Sequence, residues 1–97
     1  MARRGITGVL AYNDDTAATA VGAAVRAGIR VPEELAVIGH DDSPLASVFL
    51  PSLTSVRVDT GALGRALAQR ALDEALGRPH AQGHIPVDVA LIRREST

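Results

Sequence analysis

The chain has 97 residues, a formal net charge of −1 and no cysteine. This length predicts one small domain, and the lack of cysteine excludes disulfides, thiolate metal sites and cysteine nucleophiles. The ten basic residues are all arginine and are spread along the chain, a pattern that argues against nucleic-acid binding by this segment. No apolar run is long enough to cross a bilayer and no signal peptide begins the chain, so we expect a cytoplasmic protein.

The hydrophobic residues are mostly small. They make up 46% of the chain, but aromatic residues make up only 2%, namely Tyr12 and Phe49. The core must therefore be built from Ala, Val, Leu and Ile. A domain of this size buries only about 60–65% of the surface that its unfolded chain exposes. We therefore expect stabilisation by oligomerisation or by a larger surrounding protein.

The first half of the sequence predicts a βαβ unit. Residues 7–12 form an apolar strand, residues 13–15 offer N-cap side chains, and a helix over residues 16–27 ends at Gly28. Residues 35–39 form a second strand that is apolar throughout, as is typical of a parallel strand covered on both faces.

The second half predicts shorter elements and one long helix. The expected order is a short helix or turn over residues 43–50 with Ser43 as its cap, an extended stretch over 53–58, a helix over 59–76 capped by Asp59, and a last strand over 85–93. With the first half, this order indicates an α/β fold with a parallel sheet.

The first predicted helix has an unusual surface. Only Arg26 is charged between residues 16 and 27, whereas a helix on the surface of a sheet normally has a polar outer face. Both faces should therefore be covered. The sheet would cover one, and either a neighbouring subunit or another part of the same polypeptide would cover the other.

Polar residues follow the two strands of the βαβ unit. Asn13 follows the first strand and His40-Asp41 ends the second, so parallel pairing would place them at one rim, roughly 5–10 Å apart. Ligands bind at this edge of open α/β sheets, and an amide with a carboxylate suits a polyhydroxylated ligand. The alternative is that these residues only form a turn and a helix cap, and His40 could equally be structural.

Enzyme and metal sites are not indicated. His40, Asp41 and Ser43 are too close in sequence to converge as a hydrolytic triad, and no nucleophile elbow is present. His80 and His84 lie in a polar loop without the spacing of metal ligands. No glycine pattern indicates a phosphate loop. We therefore predict no catalytic residues, no metal and no cofactor.

Several segments together resemble the C-terminal part of the LacI/GalR family of bacterial transcriptional regulators. They are AYND at 11–14, GIRVPEELAVIGHDD at 28–42, PSLTSV at 51–56, Asp59 with Leu63-Gly64, and RREST at 93–97. Each segment alone is a weak signal, but their order and spacing agree over nearly the whole chain. A sugar-binding protein of an ABC transporter is the alternative, because it shares the fold.

The resemblance implies a partial effector domain of the periplasmic-binding-protein-like fold, in which two α/β subdomains clamp a small ligand such as a sugar. Residues of about 1–57 and 85–97 would belong to the C-terminal subdomain. Residues of about 58–84 would form the hinge crossover and a helix of the N-terminal subdomain. Asn13 and Asp41 match effector-contacting positions, His40 stands where the family usually has Tyr or Phe, and Thr60 would also face the cleft.

The resemblance also implies partners. The family's homodimer interface matches six positions, namely Ala18, Val21, Gly22, Val25, Leu45 and Phe49. The helix-turn-helix headpiece that reads operator DNA is absent, so we expect a fragment that does not bind DNA itself. Because half a clamp cannot enclose a ligand, we also expect weak or absent effector binding by these residues alone.

Overall fold

The computed structural model describes residues 5–80 and 83–97. Arg3 and Arg4, two of the ten arginines, and two positions of the polar loop that holds His80 and His84 therefore lie outside the described residues. Every predicted element is present. Three of the four strands are shorter than the sequence indicates, and the other is shifted by one residue. The elements are β1 (Gly8–Leu10), α1 (Asp14–Arg26), β2 (Ala36–His40), α2 (Pro44–Val48), β3 (Thr54–Val58), α3 (Thr60–Ala75) and β4 (Val89–Ile92).

Four strands form one sheet in the order β1-β2-β3-β4. β1 pairs in parallel with β2, with Gly8 opposite Ala36, and β2 pairs in parallel with β3, with Ile38 opposite Thr54. The predicted parallel sheet is therefore confirmed for these three strands. Their carboxyl ends share one edge, which is where ligands bind in sheets of this kind.

The core lies between α1 and the sheet. Ala17, Val21 and Ala24 recur on one side of α1 and are at most 5% exposed. They pack with Val37 and Leu53 in an aliphatic cluster, as the composition predicts. Val21 therefore belongs to the chain's own core with 1% exposure, and its place in a dimer interface stays a prediction.

The second face of the sheet is open within the part of the chain that the structure describes. Val37 and Gly39 of β2 are buried, but the alternate residue Ile38 is only half-buried. Leu10 of β1 is 80% exposed and Leu91 of β4 is 53% exposed. The prediction that β2 is covered on both faces is therefore wrong for the described residues, because α1 covers one face only.

Glycine ends both long helices, as predicted. Gly28 follows α1 and Gly77 follows α3, with φ angles of +78° and +67°. The next residues close the helix ends, since Ile29 N donates to Ala24 O at 2.8 Å and the amide after Gly77 donates to Asp73 O at 2.8 Å. This pattern requires a left-handed residue, which glycine adopts without a Cβ clash.

The chain divides into two compact units. The first extends to Arg57 and resumes with Ala90–Thr97, and the second is Val58–Val89. The second unit contains α3, in which no residue is buried. No helix of the described residues is both long and apolar enough to span a membrane.

The C-terminal residues close the first unit by joining the starts of β2 and β3. Ser96 is fully buried. Its Oγ donates to Val37 O at 2.6 Å and accepts from Thr54 N at 2.9 Å. Glu95 Oε1 accepts from the amide and the hydroxyl of Ser52, at 2.9 and 3.0 Å. The tail therefore supplies partners to backbone groups that the sheet itself leaves unpaired.

Candidate functional site

The candidate ligand site lies at the carboxyl edge of β1 and β2. Ala11 and Tyr12 follow β1, His40 ends β2 and Asp41 follows it. These four residues line one open cavity of about 410 Å³. We refer to them as the rim. The rim offers a carboxylate, an imidazole and an aromatic ring to solvent, which are groups that bind hydroxyl-rich ligands by hydrogen bonds and contacts to the ring.

Asp41 and His40 are brought together, as the sequence predicts. The Asp41 side chain is 62% exposed, and its Oδ1 lies 2.9 Å from His40 Nδ1. One carboxylate oxygen therefore contacts the imidazole. The other makes no hydrogen bond to any of the described residues and faces solvent. His40 is a rim residue rather than a core histidine.

Asn13 is a helix cap. Its Oδ1 accepts a hydrogen bond from Thr16 N at 2.8 Å, which stabilises the start of α1. The capping interpretation is therefore confirmed. The side-chain NH₂ donates to no described residue, so a ligand contact through that group stays a prediction. Thr60 begins α3 in the second unit, and its ligand contact also stays a prediction.

Tyr12 is a rim residue that sequence reasoning missed. It is 87% exposed, although it follows an apolar strand and was assigned to that strand. β1 ends two residues earlier, at Leu10. One signal in the sequence indicates this position at the edge of the sheet, because the lone tyrosine directly precedes the polar cap residue Asn13.

The backbone at the rim is unusual. Asp41 has φ +97° and the next residue, Asp42, has φ +48°, a region that side chains other than glycine rarely adopt. The amide of Asp41 donates to Val56 O at 2.8 Å, and the amide of Asp42 donates to Ser55 Oγ at 2.9 Å. The loop after β2 is thus attached to β3.

Asp42 is not a ligand group but the centre of an ion-pair cluster. Its Oδ2 lies 2.6 Å from Arg57 Nη2 and its Oδ1 lies 2.7 Å from Arg94 Nη2. The Asp42 side chain is only 7% exposed. Burial alone would raise the pKa of this carboxyl group, but the guanidinium groups of Arg94 and Arg57 beside it outweigh burial and hold the pKa below its ordinary value.

Asp14 binds the same region through two hydrogen bonds. Sequence reasoning assigned it to the first turn of α1, yet it is 2% exposed. Its Oδ2 accepts from Ser43 N at 2.7 Å and its Oδ1 accepts from Ser55 Oγ at 2.7 Å. Ser43 occupies the N-cap position of α2, as predicted, but its hydroxyl forms no capping bond.

A glycine in β2 makes room for Asp14. A Cβ added at Gly39 would overlap Asp14 Oδ1 and would lie 3.2 Å from Asp14 Cα. The apolar strand therefore needs a glycine at this position so that a buried carboxylate can approach the sheet.

The predicted interface residues line an apolar groove between α1 and the end of α2. The groove has a volume of about 560 Å³. Five of the six predicted interface residues line it, namely Ala18, Val21, Gly22, Val25 and Phe49, whereas Leu45 does not. Leu50 also lines it with 84% exposure, although the sequence analysis did not select it. The place of these residues in a dimer interface stays a prediction. We refer to this surface as the α1 groove.

No metal centre is formed by the described residues. No group of three His, Asp or Glu side chains there is arranged to hold an ion. His80 Nε2 lies 2.7 Å from Glu74 Oε2 within the second unit, a pair that joins the loop to the end of α3.

Comparisons with known proteins agree on the family to which the chain is similar. Residues 2–97 match the family described as the periplasmic binding protein-like domain. The HTH-type transcriptional regulator GntR of Pseudomonas aeruginosa is 36% identical over 92 residues, which cover 95% of this chain and 27% of that protein. The chain therefore spans about a quarter of that relative.

Solved structures agree with the sequence comparison. The complex of the transcriptional regulator CelR with cellobiose matches with a TM-score of 0.85 and 33% identity, over 94% of this chain and 28% of that one. The lac repressor dimer bound to operator and the anti-inducer ONPF matches with a TM-score of 0.83 and 32% identity, over 94% of this chain and 32% of that one. The chain belongs to the periplasmic binding protein-like domain family, and its relatives there are transcriptional regulators of the LacI/GalR kind.

Proposed function

We propose that this chain is the effector-sensing and dimerisation portion of a bacterial LacI/GalR-type transcriptional regulator that acts in the cytoplasm. The observation that carries the proposal is the rim, where Asp41 and its exposed carboxylate lie at the ligand-binding edge of a fold shared with the CelR–cellobiose complex. The relatives are regulators and not enzymes. Because these relatives are transcriptional regulators, they favour a regulator over the sugar-binding protein of a transporter.

The rim is one wall of a binding site for a sugar-like effector. In the whole regulator the second wall would come from the other subdomain, to which we assign the second unit, and Asn13 and Thr60 would add contacts. Ligand would favour one subdomain arrangement, and operator affinity would change through a separate DNA-binding headpiece. Such a change is a coupling between distinct sites.

The test is a titration of the isotopically labelled 97-residue chain with cellobiose, sucrose and glucose, followed by amide NMR shifts. A single wall predicts millimolar dissociation constants, equivalent to roughly 4 kcal/mol, with shifts confined to the rim. Asp41→Asn should remove these shifts, and Asp15→Asn is the matched control on an exposed first-turn carboxylate. If the shifts fall outside the rim, or if they persist in Asp41→Asn, the proposed site is wrong.

We further propose that the α1 groove is the homodimer interface. Apolar side chains there remain exposed, including Val25 at 56% and Leu50 at 84%, and small residues of α1 allow close approach of a second helix. Sedimentation of Leu50→Glu should show a dimer dissociation constant at least about tenfold weaker, because a buried charge is costly. Leu76→Glu, at a site 61% exposed in the other unit, should leave the dimer unchanged.

A further inference from the structure

Two consecutive aspartates occupy left-handed backbone conformations at the rim. Asp41 has φ +97° and Asp42 has φ +48°. For a residue with a Cβ atom, such a conformation typically disfavours folding about 5- to 30-fold. It persists only where the surrounding structure enforces it. Something must therefore hold this loop against its own backbone preference.

The side chain of Asp42 is the strongest available anchor. Arg57 contacts Oδ2 twice, from Nε at 2.8 Å and Nη2 at 2.6 Å, while Arg94 contacts Oδ1 from Nη2 at 2.7 Å. Arg94 is itself fixed, since its Nη1 donates to Leu53 O at 2.9 Å. The bond from Arg57 Nε to Oδ2 is a charge-assisted hydrogen bond, which is a strong kind. Oδ1 accepts no hydrogen bond from the described residues and contacts Arg94 as an ion pair. Both oxygens of Asp42 are therefore tied to side chains from the β3–β4 side of the sheet.

The backbone of Asp41 is fixed on both sides as a result. Its amide is bonded to Val56 O, and the following residue is held by its amide bond to Ser55 Oγ and by the two arginines. The positive φ of Asp41 therefore lies between two hydrogen-bonded amides. This φ determines the direction in which the exposed side chain of Asp41 leaves the backbone at the rim.

We propose that Asp42, held by Arg57 and Arg94, is a positioning residue that keeps Asp41 in its left-handed conformation at the rim. The ligand role of Asp41 rests on the proposed function, whereas the positioning by Asp42 rests only on the geometry of the first unit. Asp42 itself is too buried to meet a ligand. The residue at position 42 would therefore affect the affinity for the ligand, because it fixes where the Asp41 carboxylate lies.

The test is a set of substitutions read without any ligand. In the otherwise unchanged chain, Asp41→Gly should be more stable than Asp41→Ala by about 5- to 30-fold in the unfolding equilibrium constant, because only glycine accepts the enforced φ freely. In an Asp42→Asn background the loop can relax, so this Gly-to-Ala ratio should fall to about twofold or less. Glu34→Gln, which removes an exposed ion pair with Arg30, is the matched control and should leave the ratio unchanged.

The local φ of residue 41 gives a second reading. The amide-to-Hα coupling and the Cα shift of Asp41 should report a left-handed residue in the unchanged chain and an averaged or negative φ in Asp42→Asn. If Asp42→Asn does not fold, Arg57→Gln, at a side chain 58% exposed, provides the same two readings. A variant that lowers stability yet keeps both the ratio and the φ of Asp41 would overturn the proposal, since Asp42 would then only stabilise the fold.

These readings are independent of the proposed function. If sugar-induced shifts persist in Asp41→Asn, the effector site is refuted, while the Gly-to-Ala ratio still decides whether Asp42 positions Asp41. If sugars bind and the ratio is insensitive to Asp42, the proposed function stands and the positioning role fails.

Discussion

Replacing Asp14 by alanine should remove much of the stability of the first unit. The substitution deletes two hydrogen bonds of 2.7 Å, from Ser43 N and Ser55 Oγ, and leaves both donors without their acceptor. A hydrogen bond to a charged group contributes about 1.5–3 kcal/mol, so the free energy of unfolding should fall by about 3–5 kcal/mol. A domain of this length is stable by only about 5–15 kcal/mol.

Urea unfolding followed by far-ultraviolet circular dichroism measures this loss. Asp14→Asn keeps one acceptor oxygen and should lose about half as much as Asp14→Ala. Asp15→Ala is the matched control, because this exposed neighbour only favours the helix dipole and contributes about 0.3–1 kcal/mol. Equal losses for Asp14→Ala and Asp15→Ala would refute the reasoning, since the buried bonds would then add nothing.

Three further outcomes are expected. Gly39→Ala should lower the free energy of unfolding by about 1–3 kcal/mol, because the added Cβ overlaps Asp14. Gly64→Ala, in open space on a helix, should raise it by about 0.5–1 kcal/mol. If thermal unfolding ranks the two variants in the other order, Asp14 does not approach Gly39 as closely as the structure shows. Because the pKa of Asp42 is lowered in the folded chain, its stabilisation is present above the unfolded value of about 4 and is lost as pH falls further. The stability gap between the unchanged chain and Asp42→Asn should therefore narrow below about pH 4, and a constant gap would argue against the ion pairs. Ser96→Ala should cost about 2–4 kcal/mol, since two buried backbone groups lose a partner, while Ser47→Ala at an exposed helix position should be nearly neutral in the same urea assay.

The fold was largely predictable because its signals are local. Apolar runs, N-cap residues and the glycines at 28 and 77 indicate the order of the elements and the ends of the two long helices, and those predictions are confirmed. The strand bounds were predicted less well, since the first strand covers residues 8–10 rather than 7–12. Coverage of the second sheet face was not predictable from a strand's apolar character. The sequence shows which residues avoid water, but not whether a partner surface is present within the chain.

The candidate site was predictable only in part. Asp41 and His40 were found because strand ends concentrate ligand groups. The role of Asp14 was missed because its partners, Ser43 and Ser55, lie 29 and 41 residues away. The role of Asp42 was missed for the same reason, since Arg94 reaches it only after the last strand. Contacts between distant segments leave no periodic pattern in one sequence.

The hydrogen bond that joins the two ends of the second unit has a consequence for folding kinetics. Asp59 N donates to Asp88 O at 3.0 Å, so the two ends of Val58–Val89 are already adjacent when this unit is formed. β3 and β4 would then be delivered side by side to the first unit. Otherwise the first unit must close that intervening loop itself, at an entropic cost that grows with loop length. Substitutions that destabilise α3 should therefore slow the folding of the sheet, although α3 is not part of it. They should raise the free-energy barrier to folding more than they lower the free energy of unfolding of the first unit.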